Sequence, residues 1–351
     1  MKPRDKILAV LRGEILDEIP CYMEACMDKT VAEELYAGAD GDSIQRAKVL
    51  DNCAVYYGMG FNQKTLSQSD VERVYQYETG AIWREVFSPN FSREAISYPV
   101  NTPEEALAYR LPSAKDPARI NDAICRDTVQ HLKDEGYYVQ GQSVGVWQGI
   151  YYYLTSFENI LEWMIDEPEA AHALFDEMKR YSLQAAERVI GWGVDEIFVA
   201  SDFGTSISLM FSPKLFREYV FPWLQQLAEL CHRNGVYCQL HSHGHIEDIM
   251  DQIVEAGVDI INPIGPSDHN DLAMFKQRWG DKIVLLGGIS TKIAEMSNQE
   301  MEEHIKEVIR IGRKGGRFFP RTESGIPLMP KEKILFYVEA LKKERENGYK
   351  A

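Results

Sequence analysis

The feature that most constrains the fold of this chain is a regular alternation of short apolar runs with longer helical patterns. Seven segments read as strands: residues 18–23, 137–142, 196–201, 236–241, 259–263, 283–287 and 317–320. Helical patterns lie between most of them. Residues 168–190 carry apolar side chains at helical spacing. Residues 211–233 open with Ser212-Pro213, an N-cap followed by proline in the first turn. Residues 246–256, 298–311 and 331–343 follow, with Ser297 as a cap and Glu300 at the capping-box position. Strand alternating with helix implies parallel strands joined by crossover helices. Residues 53–57 are the candidate for an eighth strand. Seven or eight such units in 351 residues predict an α/β fold, a closed (β/α)8 TIM barrel rather than an open doubly wound sheet. No GxGxxG or GxxxxGK[ST] follows a strand, which argues against a nucleotide-binding sheet.

Residues 71–100 break the pattern. Polar and apolar residues alternate there on both sides of Thr79-Gly80. This predicts a β-hairpin inserted near the N-terminal half. No Pro- or Ser-rich linker divides the chain, so residues 1–351 read as a single domain.

The net charge of −16 makes a nucleic-acid partner an unfavourable reading, because such proteins carry a basic surface. No run of eighteen apolar residues is present for a membrane span. The first residues lack a signal-peptide core, and a cytoplasmic location is expected. Six cysteines, none in a CxxC pair, are expected to be reduced.

Chemistry is expected at the C-terminal ends of the strands, where barrels gather functional groups. His241 and His243 stand at i and i+2 at such an end. Alternation along a strand turns both imidazoles to one face, an arrangement suited to zinc. Gly244 relaxes the turn, and His245 falls near the start of the next helix. Cys238, an odd number of residues away, faces the core. The other strand ends supply Tyr22, Glu24, Gln142, Ser143, Asp202, Asn262, Gly287-Gly288 and Glu323. Asp202 ends an apolar strand before a glycine-containing loop; it serves either as a substrate or proton contact or as a cap or arginine partner. Glu323 is either a third zinc ligand or a salt-bridge partner of Arg321.

The chain resembles the uroporphyrinogen decarboxylase superfamily across nearly its whole length. The residues that carry the resemblance are 7–14 with Asp17-Glu18-Ile19-Pro20, then Ser201-Asp202-Phe203-Gly204, Phe211 to Phe216, Leu240 to Gly244, Gly257-Val258-Asp259 with Asn262-Pro263, and Leu286 to Ile289. The resemblance implies the same barrel. It also implies a decarboxylase acting on a porphyrinogen or a methyltransferase working with a corrinoid protein. The decarboxylases hold substrate carboxylates with arginines after the first strand. Here that place reads Cys21-Tyr22-Met23-Glu24-Ala25-Cys26-Met27, without arginine. The zinc methyltransferases use a His-x-Cys pair and a distant Cys. This chain matches at His241, has His243 in place of the first Cys, and offers Glu323 or Ser324 near the second. Nitrogen and oxygen ligands leave zinc a strong Lewis acid, suited to polarising an ether oxygen.

The expectation is therefore a corrinoid protein-dependent methyltransferase that removes a methyl group from a methoxylated or similar small molecule. Zinc is expected on His241, His243 and Glu323. Asp202 or Glu24 orients the substrate, and Tyr22, Gln142, Trp147 and Asn262 bind it. The chain has no Asp-x-His-x-x-Gly segment for cobalamin, so the corrinoid must come on a separate protein. A metal-independent decarboxylase-like lyase using Asp202, and a non-catalytic ligand-binding barrel, are the alternatives.

Overall fold

The computed structural model describes residues 1–26, 29–39, 42–87 and 91–346. Eleven strands are formed among them: β1 (Ala54–Tyr56), β2 (Gln63–Gln68), β3 (Glu72–Tyr77), β4 (Ile82–Val86), β5 (Ser92–Ser97), β6 (Tyr138–Val144), β7 (Glu196–Ala200), β8 (Tyr237–His241), β9 (Ile260–Ile264), β10 (Val284–Ile289) and β11 (Phe318–Thr322). Seven of them make one sheet in the order β1-β6-β7-β8-β9-β10-β11. Every pairing in it is parallel. Strand order follows chain order, as consecutive right-handed crossovers require.

The segment expected as the first strand, 18–23, does not form a ladder. It makes isolated parallel bridges instead, Cys21 with Asn52 beside β1 and Cys26 with Ile326 beyond β11. The amide of Cys53 donates to the Cys21 carbonyl and that of Ile326 to the Ala25 carbonyl. One short segment therefore touches both edges of the parallel sheet. Met23, at φ 56°, sits in the left-handed region that a regular strand cannot contain. Met27 lies outside the described residues.

The helix Pro168–Ile190 shows why the chain covers its sheet as it does. Pro168 opens it without wasting an amide, and Ala171, Leu174, Phe175, Met178, Tyr181, Ala185 and Val189 form one buried face. Each large side chain on that face contributes about 1.5–3 kcal/mol of burial. The helical pattern 211–233 is not one regular helix. It runs as Pro213–Leu215, a wider turn over Phe216–Val220, and Phe221–Arg233. Pro222 explains the break, since its ring clashes with the carbonyl four residues back and it offers no amide.

The predicted hairpin is present as β3 and β4, paired antiparallel from Glu72↔Val86 to Gln76↔Ile82. It is the centre of a four-stranded sheet, order β2-β3-β4-β5. Tyr75, Tyr77, Ala81 and Trp83 form its small core, against Phe61, Tyr152 and Tyr153. Trp83 stacks on Tyr152 at 5.3 Å and donates its indole N–H to the Tyr152 carbonyl at 3.1 Å. No helix among the described residues is long and apolar enough to cross a membrane.

Candidate active site

The inner face of the parallel sheet is polar where aliphatic side chains usually fill such a space. Glu196 on β7 is fully buried. Its carboxylate accepts from Tyr22 (2.6 Å), Tyr138 (3.0 Å) and the Gln140 amide (2.9 Å). Burial pushes the Glu196 carboxyl up to about 7, against these three hydrogen bonds. Gln140 also donates to Gln239 Oε1 at 2.9 Å. Gln239 donates to Asn262 Oδ1 at 2.6 Å, and Asn262 Nδ2 lies 3.0 Å from His241 Nδ1. In its ionised form Glu196 only accepts, and in that form the direction of every bond along this chain of amides is set from it. At its far end Nδ1 of His241 is an acceptor, and the ring proton of the neutral imidazole sits on Nε2.

His241 Nε2 points to Asp202, 3.8 Å from Oδ1. Burial, with the nearby His243 and Arg321 charges, pushes His241 down to about 3, so it is neutral at physiological pH. His243 behaves in the opposite way. Its Nδ1 lies 3.4 Å from Asp268 Oδ2, and that contact raises its pKa. Burial opposes a low pKa for Asp268, but the His243 bond and the Gly244 amide outweigh it and hold it low. Asp202 accepts from the backbone amide of His243 at 2.8 Å. Burial raises its pKa. The strand ends therefore carry a neutral imidazole, a histidine whose charged form is favoured by Asp268, and a second carboxyl group. His241 and His243 are edge-on, ring centroids 4.8 Å apart.

The loop that carries His243 is held from both sides. Gly244 has φ +92°, and a Cβ there would meet the Gly204 carbonyl carbon at 2.1 Å. Asn270 donates to the Gly244 carbonyl (3.0 Å) and accepts from the Ile246 amide (3.3 Å). Asp268, which completes the charged pair, was not among the sequence candidates. It sits in the turn Pro266–Asp268 after β9, where no periodicity points a side chain anywhere.

The remaining candidates divide into site and scaffold. Gln142 lines a cavity of about 240 Å³, with Phe61, Arg93, Gln148, Tyr152 and Tyr153 among its walls. Gln148 also reaches Asp202, at 3.5 Å, which sets this cavity beside the histidines. Tyr22 and Asn262 belong to the buried amide chain beneath them. Trp147, expected to line the pocket, is fully buried among Tyr151, Phe157, Phe175 and Phe211. Residues 148, 149, 152 and 153 of the same helix line the cavity instead. Glu24 is buried; its carboxylate accepts from the Thr322 amide (2.6 Å), the Thr322 hydroxyl (3.0 Å) and Tyr337 (3.1 Å).

Glu323 accepts from Ser267 N and Oγ (3.0 and 2.7 Å) and from Thr291 N and Oγ1 (2.9 and 3.2 Å). With those four donors it clamps the loops after β9 and β10. It forms no ion pair with Arg321 among the described residues. Nor do any three His, Cys, Asp or Glu side chains among the described residues gather as metal ligands. His241, His243 and Glu323 as placed do not fit a three-ligand zinc site, because the Glu323 carboxylate is engaged by Ser267 and Thr291 and is not gathered with the two imidazoles.

The family model described as "Uroporphyrinogen decarboxylase (URO-D)" matches residues 94–344. The chain belongs to that family. A uroporphyrinogen decarboxylase from Anaeromyxobacter sp. (strain Fw109-5) is 25% identical over 268 residues, 70% of each chain. Among solved structures, a methyltransferase from Methanosarcina mazei superposes with a TM-score of 0.70 at 15% identity, covering 98% of this chain and 99% of its own. At that identity the likeness concerns the fold.

Proposed function

We propose that this protein is a methyltransferase of the uroporphyrinogen decarboxylase family. In this reading it takes a methyl group from a methoxylated or similar small molecule and passes it to the cobalt of a separate corrinoid protein. One observation carries the reading: His243, paired with Asp268, stands with neutral His241 and Asp202 at the strand ends, beside a cavity that Gln142 and Gln148 line. The near-complete overlap with a methyltransferase fold supports it. The arginine-free segment 21–26 disfavours a polycarboxylated porphyrinogen. The same reading takes residues 1–351 as one unit and the 21–26 segment, bridged to Asn52 just before β1 and to Ile326 just after β11, as the eighth stave of a (β/α)8 barrel.

The corrinoid partner supplies a cobalt(I) nucleophile. As the cobalt–carbon bond forms, the methyl carbon–oxygen bond breaks and its electron pair stays on oxygen. His243 then gives its proton to that oxygen as general acid, leaving neutral imidazole and methylcobalt(III). Asp268 favours the charged form of His243 before transfer. Asp202 fixes its backbone, and the N–H of His241 completes a polar wall. No step here is carried by zinc. Reduced cobalamin and a panel of methoxylated compounds test the proposal. The cobalt(I) absorption band gives way to that of methylcobalt(III) with at least one donor. Release of carbon dioxide from a porphyrinogen, with no methyl transfer from any donor, would place the chain with the decarboxylases instead.

A further inference from the structure

Among the described residues, Arg321 at the C-terminal end of the parallel sheet makes no ion pair. It lies on β11, two residues after Phe319, which stacks on Tyr22 at 4.9 Å inside the sheet. Alternation puts Arg321 on that same inner face, one step nearer the strand end. Its charge is felt at Tyr22, at Glu24 and at His241. Yet no carboxylate among the described residues comes within ion-pair distance. The obvious partners are taken: Glu24 by Thr322 and Tyr337, Glu323 by Ser267 and Thr291. Arg321 Nε is buried with no hydrogen-bond partner. A partly buried guanidinium left unpaired costs stability. A protein keeps such a group where a ligand completes it.

We infer that Arg321 is the anion anchor of the substrate site, and that the small molecule bound there carries a carboxylate. This rests on reading the strand-end mouth as the substrate site. The guanidinium fork matches a planar carboxylate in two parallel hydrogen bonds, which an ammonium cannot reproduce. Arg321 lies close enough to His241 for its charge to be felt there, so a substrate anchored in this way presents its far end to the histidines.

Direct binding tests the inference without corrinoid or methyl transfer, so its failure is distinct from failure of the proposed activity. The whole chain, labelled with 15N-histidine, is titrated with acetate, benzoate and 4-methoxybenzoate, and with the matched amides. Wild-type protein is expected to show a saturable shift of the His241 ring signals with a carboxylate, at least tenfold tighter than with its amide. Arg321→Met removes that preference, and Arg321→Lys retains only part of it. The melting temperature of Arg321→Met stays level or rises, because an orphaned charge has been removed; a merely structural arginine would lower it. Absence of any saturable carboxylate response in wild type, or a preference that survives Arg321→Met, overturns the inference. Should Arg321→Met fail to fold, the wild-type comparison of acid with amide decides alone.

Discussion

Glu196 shows how much a single buried group controls here. Its folded pKa, about 7, lies above the value near 4.5 of an exposed glutamate. The sign follows: folding binds this proton more tightly, so its stabilising contribution is full below pH 4.5 and is lost as pH rises through 7. Chemical denaturation between pH 4.5 and 7 should show wild type losing stability relative to Glu196→Gln, by up to about 1.4 kcal/mol per pH unit. A pH-independent difference between the two would mean that Glu196 titrates as an ordinary carboxylate. A second residue-scale prediction concerns His243. Asp268→Asn removes the partner that raises its pKa, so the upper pH limb of methyl transfer should move to lower pH. An unmoved limb would assign the acid to another group. The histidines and Asp202 were legible in the sequence because strand alternation and strand ends are local signals. Asp268 was not, because a turn has no period, and neither were the partners that occupy Glu24 and Glu323, which lie far away in the chain.

At the scale of elements, loops after adjacent strands are tied to one another by polar clamps. Glu323 joins the turns that follow β9 and β10. Glu323→Ala strands the Ser267 and Thr291 amides and should lower stability by about 3 kcal/mol in denaturant titration; a loss under 1 kcal/mol would return the carboxylate to a role in the site. Gly244→Ala forces a Cβ into the Gly204 backbone at a positive φ. That strain should both destabilise the protein and displace His243, seen as loss of the His243 shift caused by Asp268. The strands β1 and β6 to β11 were read from sequence to within two residues, because short apolar-leaning runs between helical patterns mark buried strands even where single inward positions are polar. The first strand was overread: residues 18–23 have the composition of a strand, but Met23 leaves the extended region. The rotation of the helix Val146–Tyr153 was also invisible. Its aromatic residues lie on both faces, and only packing shows that Tyr152 faces the cavity while Trp147 faces the core.

For the molecule as a whole, the parallel sheet provides the strand ends and the four-stranded sheet provides a wall. Arg93 of β5 reaches the same cavity as Gln142 of β6. The sequence showed the hairpin at its centre but not its two outer strands, whose polar, exposed residues give no core signal. The family was legible from ordered short motifs, while the proposed reaction turns on which groups hold protons at the mouth. The most direct test is a single-turnover reaction in which the protein, a methoxylated donor labelled with 13C in the methyl group, and cobalt(I) corrinoid are mixed and the cobalt product is followed. The account predicts 13C-methylcobalt(III) formed with wild-type protein and slowed at least a hundredfold by His243→Gln. Equal rates for the two proteins, or no labelled methyl on cobalt from any ether, amine or thiol donor, would contradict it.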